Sequence, residues 1–330
     1  MPVFWCWMLL HFAVAVAATW LAIRYALGRN LLDQPGERRS HVLPTPRGGG
    51  IAIVVAALLG IAWLAIRQPE HAWPLACCAI GLGLVAGIGW VDDHVALPAW
   101  PRLLVQALAA SLAAWALHRT TAYMPDTVFA FALVMVMVNV WNFMDGIDGL
   151  AASQAAIAAA GLALVLGTGP WAWLGAGLFA ALAGFLPFNF PKARVFLGDV
   201  GSGALGYLLA LLILAASIGR REQWPFLLLP VSVFLIDAGF TLAMRMLRRE
   251  RWWEPHVQHS YQAWSRRLGS HVPVTMAYAT SSLFAVALMV FALRSPQPLP
   301  DWVCWTWYGL LVLAWAQLRR NVRLSRKTSR

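Results

Sequence analysis

Charge is what this sequence has least of. Of 330 residues only 12% are Asp, Glu, Lys or Arg, while 60% are hydrophobic. A water-soluble chain carries roughly 25% charged residues, so the shortage excludes an ordinary soluble domain. Cysteine is also scarce. Cys6, Cys77, Cys78 and Cys304 lie in or beside apolar stretches without metal-ligand spacing, which excludes a disulfide framework and leaves small buried hydrophobes. Acids are few as well, 14 against 25 Lys and Arg, for a net charge of +11. The basic residues sit in short segments between apolar runs and form no recognition motif, so the excess does not make a nucleic-acid surface. The first apolar run opens MPVFWCWMLL, with no Lys or Arg and no convincing cleavage site after it. It reads as a retained first span, not a signal peptide.

What the chain does have is apolar runs of about the 20 residues that cross a bilayer core. Bounded by Pro, Gly and charges, they predict eleven helices at 4–27, 49–66, 74–90, 101–118, 127–143, 149–167, 170–187, 201–218, 224–247, 273–293 and 302–318. The expected fold is all-α, a polytopic membrane bundle. An odd number of spans puts the termini on opposite sides. Segments after odd-numbered spans, with the tail, carry 20 Lys and Arg, and those after even-numbered spans carry five. The positive-inside rule then places the N-terminus outside and the C-terminus in the cytoplasm.

With that orientation, nine of the 14 acids fall on the cytoplasmic side, four fall outside, and Asp237 lies within a span. Cytoplasmic loops are expected near 28–48, 91–100, 144–149, 188–200 and 248–272, with a basic tail at 319–330. The first, LDQPGERRSHVLPTPRGGGIA, places Arg38, Arg39, His41 and Arg47 beside three glycines. Guanidinium forks and bare backbone N–H groups both bind phosphate oxygens, although a positive-inside loop leading into a helix needs no more than this. In GWVDDHVALPAWPR, Asp92 and Asp93 are adjacent at a helix end, where negative charge opposes the helix dipole. Neighbouring carboxylates there call for a shared proton or cation; a solvated helix terminus is the plainer alternative.

NVWNFMDGIDGL gathers Asn139, Asn142, Asp145 and Asp148 around Gly146 and Gly149. A turn between spans needs one or two polar residues, and this stretch has four. FNFPKARVFLGDVGSG sets Asp199 at a helix start beside Lys192 and Arg194. Asp199 is a reasonable helix cap, and the same features would suit magnesium bridging to a diphosphate at a helix N-terminus. In RRERWWEPHVQHSYQ, His256 and His259 lie among arginines without a third zinc ligand at suitable spacing, which favours phosphate over zinc. Asp237 is by default a functional residue because it lies within a span, but a structural pairing, for example with Arg245, accounts for it equally.

In order, PTPRGGG, the Asp92–Asp93 pair, NVWNFMDGIDGL, FLGDVGSGALG and HVQHSYQ resemble the motifs of the polyprenyl-phosphate N-acetylhexosamine-1-phosphate transferases, spanning residues 33–262. The histidine motif is most similar to the O-antigen-initiating branch. The resemblance implies one catalytic membrane domain over residues 1–330. It implies transfer of a sugar 1-phosphate from a UDP-N-acetylhexosamine to undecaprenyl phosphate, with release of UMP. The expected setting is the cytoplasmic face of a bacterial inner membrane, among membrane lipids, with Mg2+ (or Mn2+) and a homodimer as the assembly. Carried over by position, Asp199 and Asn142 would contact the metal, and Asp92 and Asp93 would orient or deprotonate the lipid phosphate or assist the metal. Asp145 and Asp148 would shape the nucleotide site, with Asn139, Lys192 and Arg194 nearby. His256, His259 and Arg47 would hold phosphates or sugar. In one place the chain departs from the family pattern: Ala96 stands where a further Asp often follows the pair. Two other classes share the spans, a transporter with a cytoplasmic anion site and a lipid-binding scaffold. A transporter should show polar residues in broken helices and an internal repeat.

Overall fold

The computed structural model describes residues 2–34, 44–251, 257–297 and 299–328. It is an all-α membrane bundle. In chain order the helices are α1 Pro2–Gly28, α2 Ile51–Arg67, α3 Ala72–His94, α4 Ala99–Thr121, α5 Met124–Phe143, α6 Leu150–Leu166 and α7 Pro170–Asn189. They continue with α8 Gly198–Ser217, α9 Trp224–Leu227, α10 Ser232–Leu247, α11 Ser260–Leu268, α12 Val272–Arg294 and α13 Asp301–Thr328. Among the described residues, eight helical segments are long and apolar enough to cross a membrane, and α2 and α6 are apolar helices of 17 residues. The first ten expected spans meet helices within a few residues, with two differences, while the eleventh, expected at 302–318 before a basic tail, meets α13, which runs on to Thr328 and is not among the eight. The ninth is broken: α9 ends at Leu227, a 3-10 turn covers Leu229–Val231, and α10 resumes at Ser232. Pro230 explains the break, since proline withdraws its N–H and clashes with the preceding turn, whereas Pro225 sits in the first turn of α9, where proline is tolerated. The other difference is α11, which forms inside the stretch expected as a polar loop.

Helix α8 is the axis of the bundle and is buried along almost its whole length, from Val200 to Ala216. Helices α3 and α5 pack on it most extensively. Burial of apolar surface drives helices together weakly in lipid, so close backbone approach has to do that work. Gly206 provides it: a Cβ there would run into the backbone of Met137 on α5. Helices α1 and α7 run parallel, with Trp7 near Trp173 and Phe12 near Gly184, while α2 runs opposite to both, with His11 near Gly60.

This alternation gathers the segments after odd-numbered spans at one end of the bundle. A two-residue antiparallel ladder, Leu32–Asp33 with Thr45–Pro46, closes the first loop there. The Phe196 N–H donates to the Pro46 carbonyl at 2.8 Å, and the Gly49 and Gly50 N–H groups donate to Phe196 and Leu197 at 2.9 Å each. The glycine run is thereby tied to the start of α8.

Candidate active site

Asp93, in the last turn of α3, is the keystone of this end. Its Oδ1 accepts from Arg47 Nε at 3.0 Å, from Arg47 Nη2 at 2.6 Å and from the Asp199 N–H at 3.0 Å. Its Oδ2 accepts from the Val200 N–H at 3.1 Å. A carboxylate at the N-terminus of α8 answers two of that helix's unpaired donors and its positive dipole end. Gly198 makes this fit possible. It has φ +71, and a Cβ there would press against Asp93 Oδ2 and the Gly48 backbone.

Asp92 faces the other way. Its Oδ1 accepts from the Leu97 N–H at 2.6 Å and its Oδ2 from Arg102 Nη1 at 2.8 Å. Its carboxyl also lies close enough to that of Asp199 for the two to share a proton. Two guanidinium groups flank the pair, with Arg47 Nη2 at 3.8 Å and Arg102 Nη1 at 3.9 Å from Asp199 Oδ2. The Asp93 and Asp92 side chains are 2% and 7% exposed, and that of Asp199 is 24% exposed. Asp199 is therefore the acid a ligand meets. Two carboxyls in contact need a proton or a cation between them. The pair fits a divalent ion on that ground. No group of three or more His, Cys, Asp or Glu among the described residues forms a metal cage, and magnesium takes one or two carboxylates and completes its shell with water and phosphate oxygens.

Asp145 lies in the turn after α5, half-buried and close enough to Asp93 to feel its charge. Burial first, and Asp93 second, push its pKa up to about 7. Gly146 lets Tyr261 reach in and donate to the Phe143 carbonyl at 3.0 Å. The Asn142 carbonyl accepts the Asp145 N–H at 3.3 Å, and the Asn142 side chain makes no hydrogen bond among the described residues.

The remaining expected residues are engaged elsewhere. Asp148 pairs with His271 at 3.3 Å, and its carbonyl accepts from Thr275 at 2.8 Å, which pins the turn to α12. Asn139 donates across the helix interface to Gln106 at 2.8 Å and within α5 to Met135 at 2.8 Å. Arg194 donates to the Pro187 carbonyl at 2.8 Å and lies over the Phe188 ring, so it closes the end of α7. Lys192 is exposed. His259 is buried at the start of α11, stacked against Phe143 and Tyr261. Its burial lowers its pKa; the Asp237 carboxylate opposes that, and the Arg319 and Arg245 charges act with burial. Enclosed between those rings, the imidazole forms part of the site wall. His256, like Arg38, Arg39 and His41, lies outside the described residues.

Two roles were not legible beforehand. Arg102 sits in the first turn of α4, where a cation opposes the helix dipole; that mismatch was the available signal that it answers an acid. Asp237 accepts the Ser260 N–H at 2.8 Å, the Tyr261 N–H at 3.1 Å and the Tyr278 hydroxyl at 2.8 Å. It therefore fastens the N-terminus of α11 to α10 and α12, while Arg245 pairs with Glu250 at 3.0 Å.

An acid pair thus lies between two arginines at the loop-bearing end of a helical membrane bundle. The family model for glycosyl transferase family 4 matches residues 72–217, which hold Asp92, Asp93, Asp145 and Asp199. The chain is 31% identical over 274 residues to the decaprenyl-phosphate N-acetylglucosaminephosphotransferase of Mycolicibacterium smegmatis, covering 70% of this chain and 66% of the relative. It is 31% identical over 247 residues to the phospho-N-acetylmuramoyl-pentapeptide-transferase of Lactobacillus johnsonii, covering 64% and 72%. A probable undecaprenyl-phosphate N-acetylglucosaminyl 1-phosphate transferase of Bacillus subtilis is 27% identical over 289 residues, covering 81% and 79%. The chain spans 63–66% of the length of the mycobacterial relatives. It belongs to glycosyl transferase family 4.

Proposed function

We propose that this protein transfers an N-acetylhexosamine 1-phosphate from a UDP-N-acetylhexosamine to undecaprenyl phosphate and releases UMP. We place the reaction at the cytoplasmic face of a bacterial inner membrane, as the opening step of O-antigen or related surface-polysaccharide synthesis. The observation that carries the reading is the Asp92–Asp199 pair between Arg47 and Arg102. The names of the relatives, all polyprenyl-phosphate or cell-wall sugar-phosphate transferases, agree with it.

In this reaction an oxygen of the lipid phosphate attacks the β-phosphorus of the UDP-sugar. The bond from that phosphorus to the bridging oxygen breaks, its electron pair leaves with UMP, and the sugar ends on a diphosphate-linked lipid. Such transfer needs in-line placement and neutralised oxygens more than covalent help. Arg47 and Arg102 supply fixed positive charge. Asp93 accepts from four donors, so it positions Arg47 and α8 and leaves proton acceptance to Asp92 or Asp199. Asp145, with a pKa of about 7, carries part of a proton at neutral pH and can hydrogen-bond the donor substrate in either form. Asp199 and Asp92 would hold Mg2+ (or Mn2+), with the Asn142 amide as a further oxygen. The ion's chemistry is to draw charge from the diphosphate.

The test is formation of labelled lipid by membranes given each radiolabelled UDP-N-acetylhexosamine in turn. We expect one sugar to label undecaprenyl phosphate and Asp199→Ala to abolish it. Absence of labelled lipid with every such donor, or an unaffected Asp199→Ala, overturns the reading.

A further inference from the structure

Helices α4 and α5 form a hairpin. At the end away from the acids they are joined through Ala122 and Tyr123, and His118 Nδ1 lies 2.9 Å from the Thr127 hydroxyl beside that turn. At the other end no chain joins them. Each carries part of the candidate site there, Arg102 in the first turn of α4 and Asn142 in the last turn of α5. The buried face of α4 is mainly Ala109, Ala110, Ala113 and Ala114. Such a face offers few knobs to fix one helix against another, and apolar packing in lipid is a weak drive.

One polar contact interrupts it near the open end. Gln106 is 6% exposed and lies one turn into α4 from Arg102. Its Oε1 accepts from Asn139 Nδ2 at 2.8 Å, and Asn139 lies one turn before Asn142. The same Nδ2 donates to the Met135 carbonyl at 2.8 Å. A carbonyl can only accept, so the direction of the bond is fixed: Asn139 gives and Gln106 receives. Among the described residues, no other side-chain hydrogen bond joins α4 to α5 besides the one at the closed end. Stability does not call for it, because a polar side chain within a span is costly and an apolar pair of similar shape serves a bundle as well. The Asn142 side chain makes no hydrogen bond of its own among the described residues, so its place is set by where the α5 backbone is held.

We propose that Gln106 is a positioning residue of the candidate active site. By clasping Asn139 it closes the open end of the hairpin and sets Asn142 against Arg102 and the acids beside it. The proposal rests on the transferase reading for Asn142 as an oxygen toward Mg2+. Without the clasp the two helix ends part, and only a fraction of the molecules hold Asn142 in place. The apparent Mg2+ constant then rises by the inverse of that fraction. One net hydrogen bond sets the ratio at about fivefold.

The experiment uses the whole protein in phospholipid nanodiscs. Spin labels at Trp100→Cys and Val136→Cys, both exposed and toward the open end, report the separation of the helices by double electron–electron resonance. Cys6 is replaced by Ser, while Cys77, Cys78 and Cys304 are buried and stay unlabelled. We expect one narrow distance, broadened by Gln106→Leu. The Mg2+ concentration that half-saturates the rise in melting temperature should increase about fivefold in Gln106→Leu. It should stay raised in Gln106→Leu/Asn139→Leu, although that apolar pair melts no lower than the unaltered protein. A merely structural role would let the Mg2+ constant recover with the melt. An unchanged distance distribution, or a Mg2+ constant that is unaltered or recovers with the apolar pair, overturns the proposal. If the unaltered protein shows no Mg2+ response, the metal reading is what fails, and the distance measurement judges the clasp on its own.

Discussion

The carboxylate of Asp93 accepts the backbone N–H of Asp199 at 3.0 Å, so the place of the most open acid is set by its most buried neighbour. This contact joins the end of α3 to the start of α8 and draws Arg47 into the same arrangement. It separates two adjacent aspartates that otherwise look interchangeable: Asp93 builds the site and Asp92 faces it.

That division predicts different failures. Asp93→Asn removes the charge that four donors share and turns an amide N–H2 toward some of them. We expect a loss of about 3 kcal/mol, the scale for breaking a buried charged pair, visible as a lower melting temperature, together with lost transfer. Asp92→Asn should abolish transfer and leave the melting temperature within a few degrees of the unaltered protein. Thermal melts and labelled-lipid assays on both variants check this. Equal melting of the two assigns Asp93 no special structural role.

Metal dependence is the next expectation of the proposed reaction, in which Asp92 and Asp199 would hold the ion. Chelation by EDTA should stop transfer, and Mg2+ should restore it. In addition, Mg2+ alone should raise the melting temperature of the resting protein by binding the folded form. Asp199→Asn should lose that thermal response. A rise that persists in Asp199→Asn would put the ion elsewhere.

Arg102 should matter as much as the acids. It lies 2.8 Å from Asp92 and 3.9 Å from Asp199, in the first turn of α4. Arg102→Ala should lower transfer on the order of 100-fold, the scale for removing one preorganised donor from developing charge. Arg102→Lys should recover part of that, because the charge returns without the planar fork. A kinetic series over UDP-sugar concentration separates loss of binding from loss of turnover.

The sequence announced some of this and hid the rest for a physical reason. Span lengths and the placement of Lys and Arg follow from the bilayer itself, so an all-α membrane bundle and the end that gathers Asp92, Asp93, Asp145 and Asp199 were readable. Polar residues inside a bundle answer to partners far along the chain. Asn139 looked like a ligand group until Gln106 was seen across the interface. Asp237 had no visible reason until α11, beginning 23 residues later, needed its N–H groups capped. His259 sits in a hydrophilic stretch yet is buried between aromatic rings, because α11 folds back over the α5 turn. The break at Leu229–Val231 was written in Pro230, and a reading by hydropathy alone passes over it.

Asp145 gives a pH dependence whose sign can be stated. Its pKa rises from 3.8 unfolded to about 7 folded. Between those values the folded protein holds a proton that the unfolded chain has released, so stability falls as pH rises through this window and the full cost is present above about pH 7. Asp145→Asn never ionises and escapes the cost. Its melting temperature relative to the unaltered protein should therefore climb from pH 5 to pH 8 and level off above, while transfer falls at every pH. Melts across that range check the first part. A melting difference that stays constant with pH would mean Asp145 titrates as an ordinary exposed acid. The expected result is an acid that costs the fold stability at the pH where it serves the site.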